Sequence, residues 1–295
     1  MFSRRQVLHS ISLALAASAY DSASRAAVTD PTSELDAALA DLDARCGGRL
    51  GVAVIDAGGR LLAGRRAEER FPLCSTSKAL IVAATLAKID AGAEKPERSV
   101  AISPGDVLSY APVAKTRVGQ GMTIAELCEA AITISDNTAA NKLIGELGGP
   151  AAVTAYIRSL GDDVTRLDRT EPDLNQAAPG DPRDTTTPVA MAKTVLQLTT
   201  GAALSPDSRD RLVAWLIGCQ TGKAKLRAGL PGEWKTGDKT GSGGHGASND
   251  VAIVWPKGGP PIVIAAYLAD TQAADADKNA IHAAVGRATA RAIAS

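Results

Sequence analysis

Apolar residues recur at helical spacing near the start of the chain. Leu35, Ala38, Leu39 and Leu42 share one face of a predicted helix, opened by the capping pattern Ser33-Glu34-Leu35-Asp36 and closed by Gly47-Gly48. Two apolar runs follow, Leu50 to Ile55 and Leu61 to Ala63, around Asp56-Ala57-Gly58-Gly59, which predicts a hairpin. The far end repeats this logic. Val251 to Trp255 and Ile262 to Leu268 flank Pro256-Lys257-Gly258-Gly259-Pro260 and precede an alanine-rich helix. From about Ser75 to Leu216 the pattern is of short helical segments broken by Gly and Pro. The first runs from Lys78 to Ala91 through Ala79, Leu80, Val82, Ala83 and Leu86. Strands at both ends with helices between them predict one sheet built from both chain ends and a helical insertion, an α+β fold.

The first residues break this pattern. Arg4 and Arg5 precede an apolar, charge-free stretch from Ile11 to Ala19, too short to span a bilayer. Residues 1–27 read as an export signal of twin-arginine type, with an ordinary Sec leader as the alternative. Ala17-Ser18-Ala19 offers one cleavage site, and Ala26 or Ala27 offers another start for the mature protein. Either route predicts a periplasmic or secreted protein. After this leader no segment runs ~18 apolar residues without charge, so stable membrane association is not expected. Acidic and basic residues balance at 32 each, which gives no reason to expect a nucleic-acid partner.

Candidate chemistry lies in four short polar motifs. They are Ser75-Thr76-Ser77-Lys78, Ser135-Asp136-Asn137, Glu171-Pro172-Asp173-Leu174-Asn175 and Lys239-Thr240-Gly241-Ser242-Gly243. Ser-x-x-Lys arises by chance roughly once in a chain of this length, whereas Ser-Asp-Asn and Lys-Thr-Gly are each expected about 0.05 times. Their joint presence in this order makes coincidence a poor explanation. Ser75 opens the helix beginning near Lys78, where the helix dipole favours a developing alkoxide, and Lys78 lies one turn on along the same face. Glu171 and Asn175 form a carboxylate-amide pair able to take a proton from a water and fix its position. Each motif also has a plainer reading: a helix cap for Ser75 and for Ser-Asp-Asn, a solvated loop for Arg166 to Arg169, a hairpin corner for Lys-Thr-Gly. A Ser-His-Asp triad needs a mature histidine, and only His245, in a Gly-rich loop, and His282, in the terminal helix, qualify. No spaced Cys/His cluster suggests zinc. Trp215, Trp234 and Trp255 read as core residues.

In these motifs and in Arg166-Leu167-Asp168-Arg169-Thr170-Glu171-Pro172, the chain resembles the class A serine β-lactamases over nearly its whole mature length. The resemblance implies an α/β sandwich domain from residues 28–73 and 217–295 beside an all-α domain from 74–216, with the active site in the cleft between them. It implies a hydrolase that opens the β-lactam amide of penicillins and cephalosporins through an acyl-enzyme on Ser75 and so confers resistance. Lys78 or Glu171, through a water, would activate Ser75. Ser135 would pass a proton to the leaving nitrogen, and Glu171 would activate the deacylating water held with Asn175. Asn137 would bind the substrate amide, with Asp136 holding its loop. Lys239, Thr240 and Gly241 would line the carboxylate end on an edge strand, Tyr110 would wall the cleft mouth, and the amides of Ser75 and Ser242 would form the oxyanion hole. The resemblance further implies a cis Glu171-Pro172 bond, Arg169–Asp184 and Arg166–Asp168 pairs, no cofactor or metal, and a monomer whose partners are small β-lactams.

Departures from the pattern carry their own expectations. Some relatives bridge a cysteine matching Cys74 to one just after Lys-Thr-Gly, where this chain has Gly243. Others bridge the match of Cys128 to a position that is Val82 here. Both thiols are therefore expected free and buried, while Cys46 and Cys219 have no assignment. The arginine that many relatives place at the carboxylate end has no counterpart: its alternative positions fall at Ser248, Lys225 or around Lys278. Two rivals share part of the motif set, a penicillin-binding DD-peptidase or esterase and a β-lactam-sensing domain that traps the drug. Both lack the Glu171/Asn175 pair.

Overall fold

The computed structural model describes residues 31–294; the export signal expected over 1–27 lies outside them. Helix α1 (Pro31–Arg45) leads into strands β1 (Arg49–Ile55), β2 (Leu61–Arg65) and β3 (Phe71–Pro72). Helix α2 (Ser77–Asp90) follows a single 3-10 turn, Cys74–Thr76. After it come β4 (Ser99–Val100), β5 (Met122–Thr123), α3 (Ile124–Thr133), α4 (Asn137–Leu147), α5 (Pro150–Ser159), β6 (Thr185–Thr186), α6 (Pro188–Thr200) and α7 (Pro206–Ile217). The chain closes with β7 (Lys235–Ser242), β8 (Ser248–Trp255), β9 (Ile262–Ala269) and α8 (Asp275–Ala294).

The five-stranded sheet has the order β2-β1-β9-β8-β7, all neighbours antiparallel, so both chain ends build it as the pattern predicts. Strands β1 and β9 and the second half of β8 are apolar on both faces because both faces are covered. Leu50, Val52 and Val54 point with Ala252, Ile264 and Leu268 into a core closed by Leu35, Leu39 and Leu42 of α1 and Val285 of α8. Ala53, Ile55, Ile253, Val263 and Ala265 alternate to the other side and join the core of the helical layer. Two buried faces account for the continuous apolar runs, where a sheet with one face in water would alternate apolar and polar residues. In the helical layer α2 is the centre, buried without interruption from Ser77 to Leu86. Thr123 caps α3 with a complete capping box to Glu126, and Asp136 caps α4 by accepting the Ala139 amide.

Two local expectations need correction. Helix α1 already includes Pro31, so Ser33 lies inside its first turn rather than before it; proline is well tolerated there because its missing N–H has no helical acceptor. Only Trp234 among the tryptophans is buried, while Trp215 and Trp255 pack half-buried against the helical core. An indole is large enough to contribute apolar area without being enclosed. No helix among the described residues is long and apolar enough to cross a membrane.

Topology fixes the site. Strand β7 is the sheet edge, and it runs against the Cys74–Thr76 turn that opens the central helix. Sheet edge, helix start and the loop after α5 therefore meet at one place.

Candidate active site

Ser75 sits in the 3-10 turn, directly after Cys74, whose φ of 45° is a left-handed conformation uncommon for a side-chain-bearing residue. Lys78 follows in the first turn of α2 and is fully buried. Its Nζ stands 3.1 Å from Ser75 Oγ, 2.8 Å from Ser135 O, 3.2 Å from Ser135 Oγ, 2.6 Å from Asn137 Oδ1 and 2.9 Å from Glu171 Oε1. An ammonium has three protons, so five acceptors at these distances compete for it, and the amine is the hub of the site. Burial is the main force lowering the Lys78 pKa, to about 8, against the pull of Glu171, which raises it.

Ser135 occupies the corner between α3 and α4, again with a left-handed φ, 65°. Its hydroxyl lies between two ammoniums, 3.2 Å from Lys78 Nζ and 3.1 Å from Lys239 Nζ. Asp136 faces the other way: besides capping α4 it accepts the amides of Val113 and Ala114, both at 2.9 Å. It ties the loop after Tyr110 to the start of α4. Tyr110 is 48% exposed, and its hydroxyl donates to Ile134 O at 3.1 Å, beside the Ser-Asp-Asn corner.

Glu171 is buried, with a side chain closed on all sides. The Ser75 hydroxyl lies 3.4 Å from its Oε1, and Asn175 Nδ2 donates to its Oε2. Asn175 Oδ1 is buried and has no hydrogen-bond partner. A buried amide oxygen left open costs free energy unless something donates to it, so it marks a place for a polar group. The Glu171-Pro172 bond is cis. Asp184 accepts the amides of Asp168 and Arg169 and pairs with Arg169 Nε at 2.5 Å, and Arg166 pairs with Asp168. Both loop ties are as the resemblance implied.

The Asp184 tie serves two backbone donors as well as a guanidinium in a buried setting. Asp184→Ala is expected to cost about 3 kcal/mol of stability, the scale for breaking a buried pair from one side. Thermal denaturation measures this. An unchanged midpoint would show the loop to be held by other contacts.

Sequence reasoning passed over Asn141. It lies one turn beyond Asn137 on α4, and its side chain both accepts the Glu171 amide and donates to Glu171 O, each at 2.8 Å. That two-way clamp fixes the backbone of the carboxylate. The only available signal was the i, i+4 spacing from Asn137.

Strand β7 brings Lys239 and Thr240 to the same spot, both buried. Lys239 Nζ donates to Ser135 Oγ and to Thr240 O, and Thr240 shares a 2.6 Å hydroxyl contact with Thr221. Burial lowers the Lys239 pKa. At Gly241 a Cβ would stand 3.1 Å from Ser75 N and from Leu73 O, so glycine lets the strand press against the nucleophile turn. A Cβ at Gly243 would fall 2.6 Å from Cys74 Sγ. This is the contact at which some relatives bridge, and glycine leaves Cys74 as a buried free thiol with its pKa pushed up to about 12. Cys46, Cys128 and Cys219 are likewise free and buried. His245 is exposed in the loop after β7. Lys278 pairs with Asp275, whereas Lys225 lies buried behind β7.

A hydroxyl, an amine and a carboxylate in mutual contact, with cationic side chains beside them and no histidine among them, are the apparatus of a serine acyl-transfer hydrolase that works without a triad. Known proteins narrow the class. A model of the beta-lactamase enzyme family matches residues 34–293. Beta-lactamase CTX-M-25 of Escherichia coli is 49% identical over 249 residues, 84% of this chain and 86% of that protein. The solved structure of the class A beta-lactamase reconstructed for the last common ancestor of Gram-negative bacteria aligns with a TM-score of 0.86 at 56% identity, covering 88% of this chain and 99% of that one. The putative class A beta-lactamase PenP of Rhodopseudomonas palustris aligns with a TM-score of 0.85 at 50% identity, covering 87% and 98%. The chain belongs to the beta-lactamase enzyme family, within its class A serine enzymes.

Proposed function

We propose that Ser75 is the acylated nucleophile of an enzyme that hydrolyses penicillins and cephalosporins. The observation that carries this reading is the buried contact of Lys78 Nζ with Ser75 Oγ, Ser135 Oγ and Glu171 Oε1 together. Ser75 Oγ attacks the lactam carbonyl while its proton passes to a base. Two stand within reach, the Lys78 amine at 3.1 Å and Glu171 Oε1 at 3.4 Å. Ser135, in contact with Lys78, gives a proton to the leaving nitrogen as the amide bond breaks. The backbone amides of Ser75 and Ser242 stabilise the oxyanion, a role supported by how closely β7 approaches Ser75 N at Gly241.

Glu171 then takes a proton from a water that Asn175 orients, and the ester on Ser75 is hydrolysed. The open Asn175 Oδ1 beside the carboxylate supports this role. It also speaks against a protein that merely traps the drug. Lys239 and Thr240 take the substrate carboxylate, Asn137 the substrate amide, and Tyr110 walls the mouth. The turnover assay that tests this uses purified mature protein with nitrocefin, benzylpenicillin, cefotaxime and imipenem. Penicillins and early cephalosporins should turn over well, since Ser242-Gly243-Gly244 would present only small residues beside the substrate side chain, and imipenem poorly, since Cys74 has no bridge. Absence of nitrocefin hydrolysis would end the reading.

We further infer an exported monomer, with catalytic parts drawn from a sheet domain over 28–73 and 217–295 and a helical domain over 74–216. If Arg4 and Arg5 mark a twin-arginine signal, changing both to lysine should strand active enzyme in the cytoplasm. Undiminished periplasmic activity would favour a Sec leader.

A further inference from the structure

Along β8 the face turned to the helical core carries Ile253, then Val251, then Asn249. Asn249 is fully buried, and its Nδ2 donates to Pro72 O at 2.8 Å and to Leu73 O at 3.1 Å. Carbonyl oxygens only accept, so both N–H bonds point at them and Oδ1 points away. Asn249 Oδ1 is buried and has no hydrogen-bond partner. A half-satisfied amide is a poor stabiliser of a core, since the open oxygen offsets what the N–H bonds contribute. Its use lies in what the fork holds.

It holds the backbone that leads into Ser75. Leu73 O also accepts Thr76 N at 3.2 Å and Thr76 Oγ1 at 2.6 Å, so three donors converge on one carbonyl. Cys74, the next residue, keeps its left-handed φ of 45°, a conformation that persists only where the surroundings over-determine it. The β7–β8–β9 register sets Gly241, Asn249 and Tyr267 side by side on one face. Gly241 leaves room for Ser75 N, Asn249 fixes the two carbonyls before it, and the Tyr267 hydroxyl stands 3.4 Å from Thr76 Oγ1. The sheet thus grips the turn on both sides of the nucleophile.

We propose that Asn249 is a positioning residue: by holding the Pro72 and Leu73 carbonyls it sets the direction of the Ser75 amide N–H, one of the two donors to the oxyanion. This rests on the acyl-enzyme reading above. Acylation and deacylation both pass through an oxyanion at that place, so a turned amide slows both. Asn249→Leu replaces the fork by a branched apolar group of similar shape. Asn249→Asp keeps the shape and, at about pH 6, one O–H donor as a buried acid.

Single-turnover acylation and deacylation of benzylpenicillin should each fall about 10–100-fold in Asn249→Leu, short of the about 10²–10³ for deleting an oxyanion donor outright. The two factors should be similar, with the saturation constant of acylation within about twofold of wild type. Phenylboronic acid adds Ser75 Oγ to boron as the serine proton leaves, and sets an oxygen where the oxyanion forms. Its binding should weaken by a similar factor. Asn249→Asp should recover part of each loss. If Asn249→Leu fails to fold, Asn249→Asp decides: both rates and boronate binding fall together by about threefold to tenfold, or the proposal fails. A lower melting temperature with both rates and boronate binding within about twofold of wild type would make Asn249 structural and overturn it. So would a loss confined to one step. Wild-type protein inert toward benzylpenicillin would instead overturn the β-lactam reading itself.

Discussion

Glu171→Asn is expected to acylate and then stall, with deacylation slower by about 10²–10⁴, the range for loss of a positioned general base. The asparagine amide is uncharged and one methylene shorter, so it neither takes the water's proton nor reaches the place of Glu171 Oε1. Acylation should survive. Glu171 is the largest influence holding the Lys78 pKa up, and without it the amine falls further below about 8 and is more often free to accept the Ser75 proton. Stopped-flow kinetics should therefore show a burst of one equivalent followed by slow release. Near-normal steady-state turnover would remove Glu171 from deacylation.

Lys78→Met is expected to damage both chemistry and fold. The side chains of Lys78 and Glu171 are fully buried and 2.9 Å apart, so removing one leaves the other charged and unpaired. Breaking such a pair typically costs about 3–5 kcal/mol. The same change takes a hydrogen-bond partner from Ser75, Ser135 and Asn137. Acylation should fall by about 10²–10⁴ if the amine is the base. If Glu171 activates Ser75 instead, Lys78→Met should acylate at a measurable rate while Glu171→Asn does not form the adduct at all. Single-turnover acylation rates of the two variants decide between the bases, and calorimetry reads the stability loss.

Much of this site is legible in the sequence because its parts are local. The Ser75–Lys78 contact spans one helical turn, Asp136 caps the helix it precedes, and Glu171 and Asn175 are only four positions apart, joined by the short 3-10 turn Asp173–Asn175. The sheet is legible for a related reason: two hairpin turns, rich in glycine with aspartate or proline, interrupt runs too apolar to be exposed. What escaped is non-local. Asn141 reads as an ordinary helix residue until the loop folds back and brings the Glu171 backbone to it across thirty positions in the chain. Asn249 lies between a serine and an aspartate that suit a strand end, and nothing near it in the chain joins it to Pro72 and Leu73. His282 in an alanine-rich helix suits a surface as well as a core until α8 is packed on the sheet, where it is fully buried. The start of α1 was misjudged because a capping pattern at Ser33 competes with a proline two residues earlier, and the proline lies within the helix.

The central claim is a covalent drug–Ser75 intermediate that Glu171 clears. Intact-mass spectrometry of the Glu171→Asn protein mixed with benzylpenicillin, followed by peptide mapping, tests it most directly. The account predicts a gain equal to the whole drug, carried by the peptide that contains Ser75 and absent from Ser75→Ala. A drug adduct on any other residue, or Ser75→Ala that still hydrolyses the drug, would contradict it.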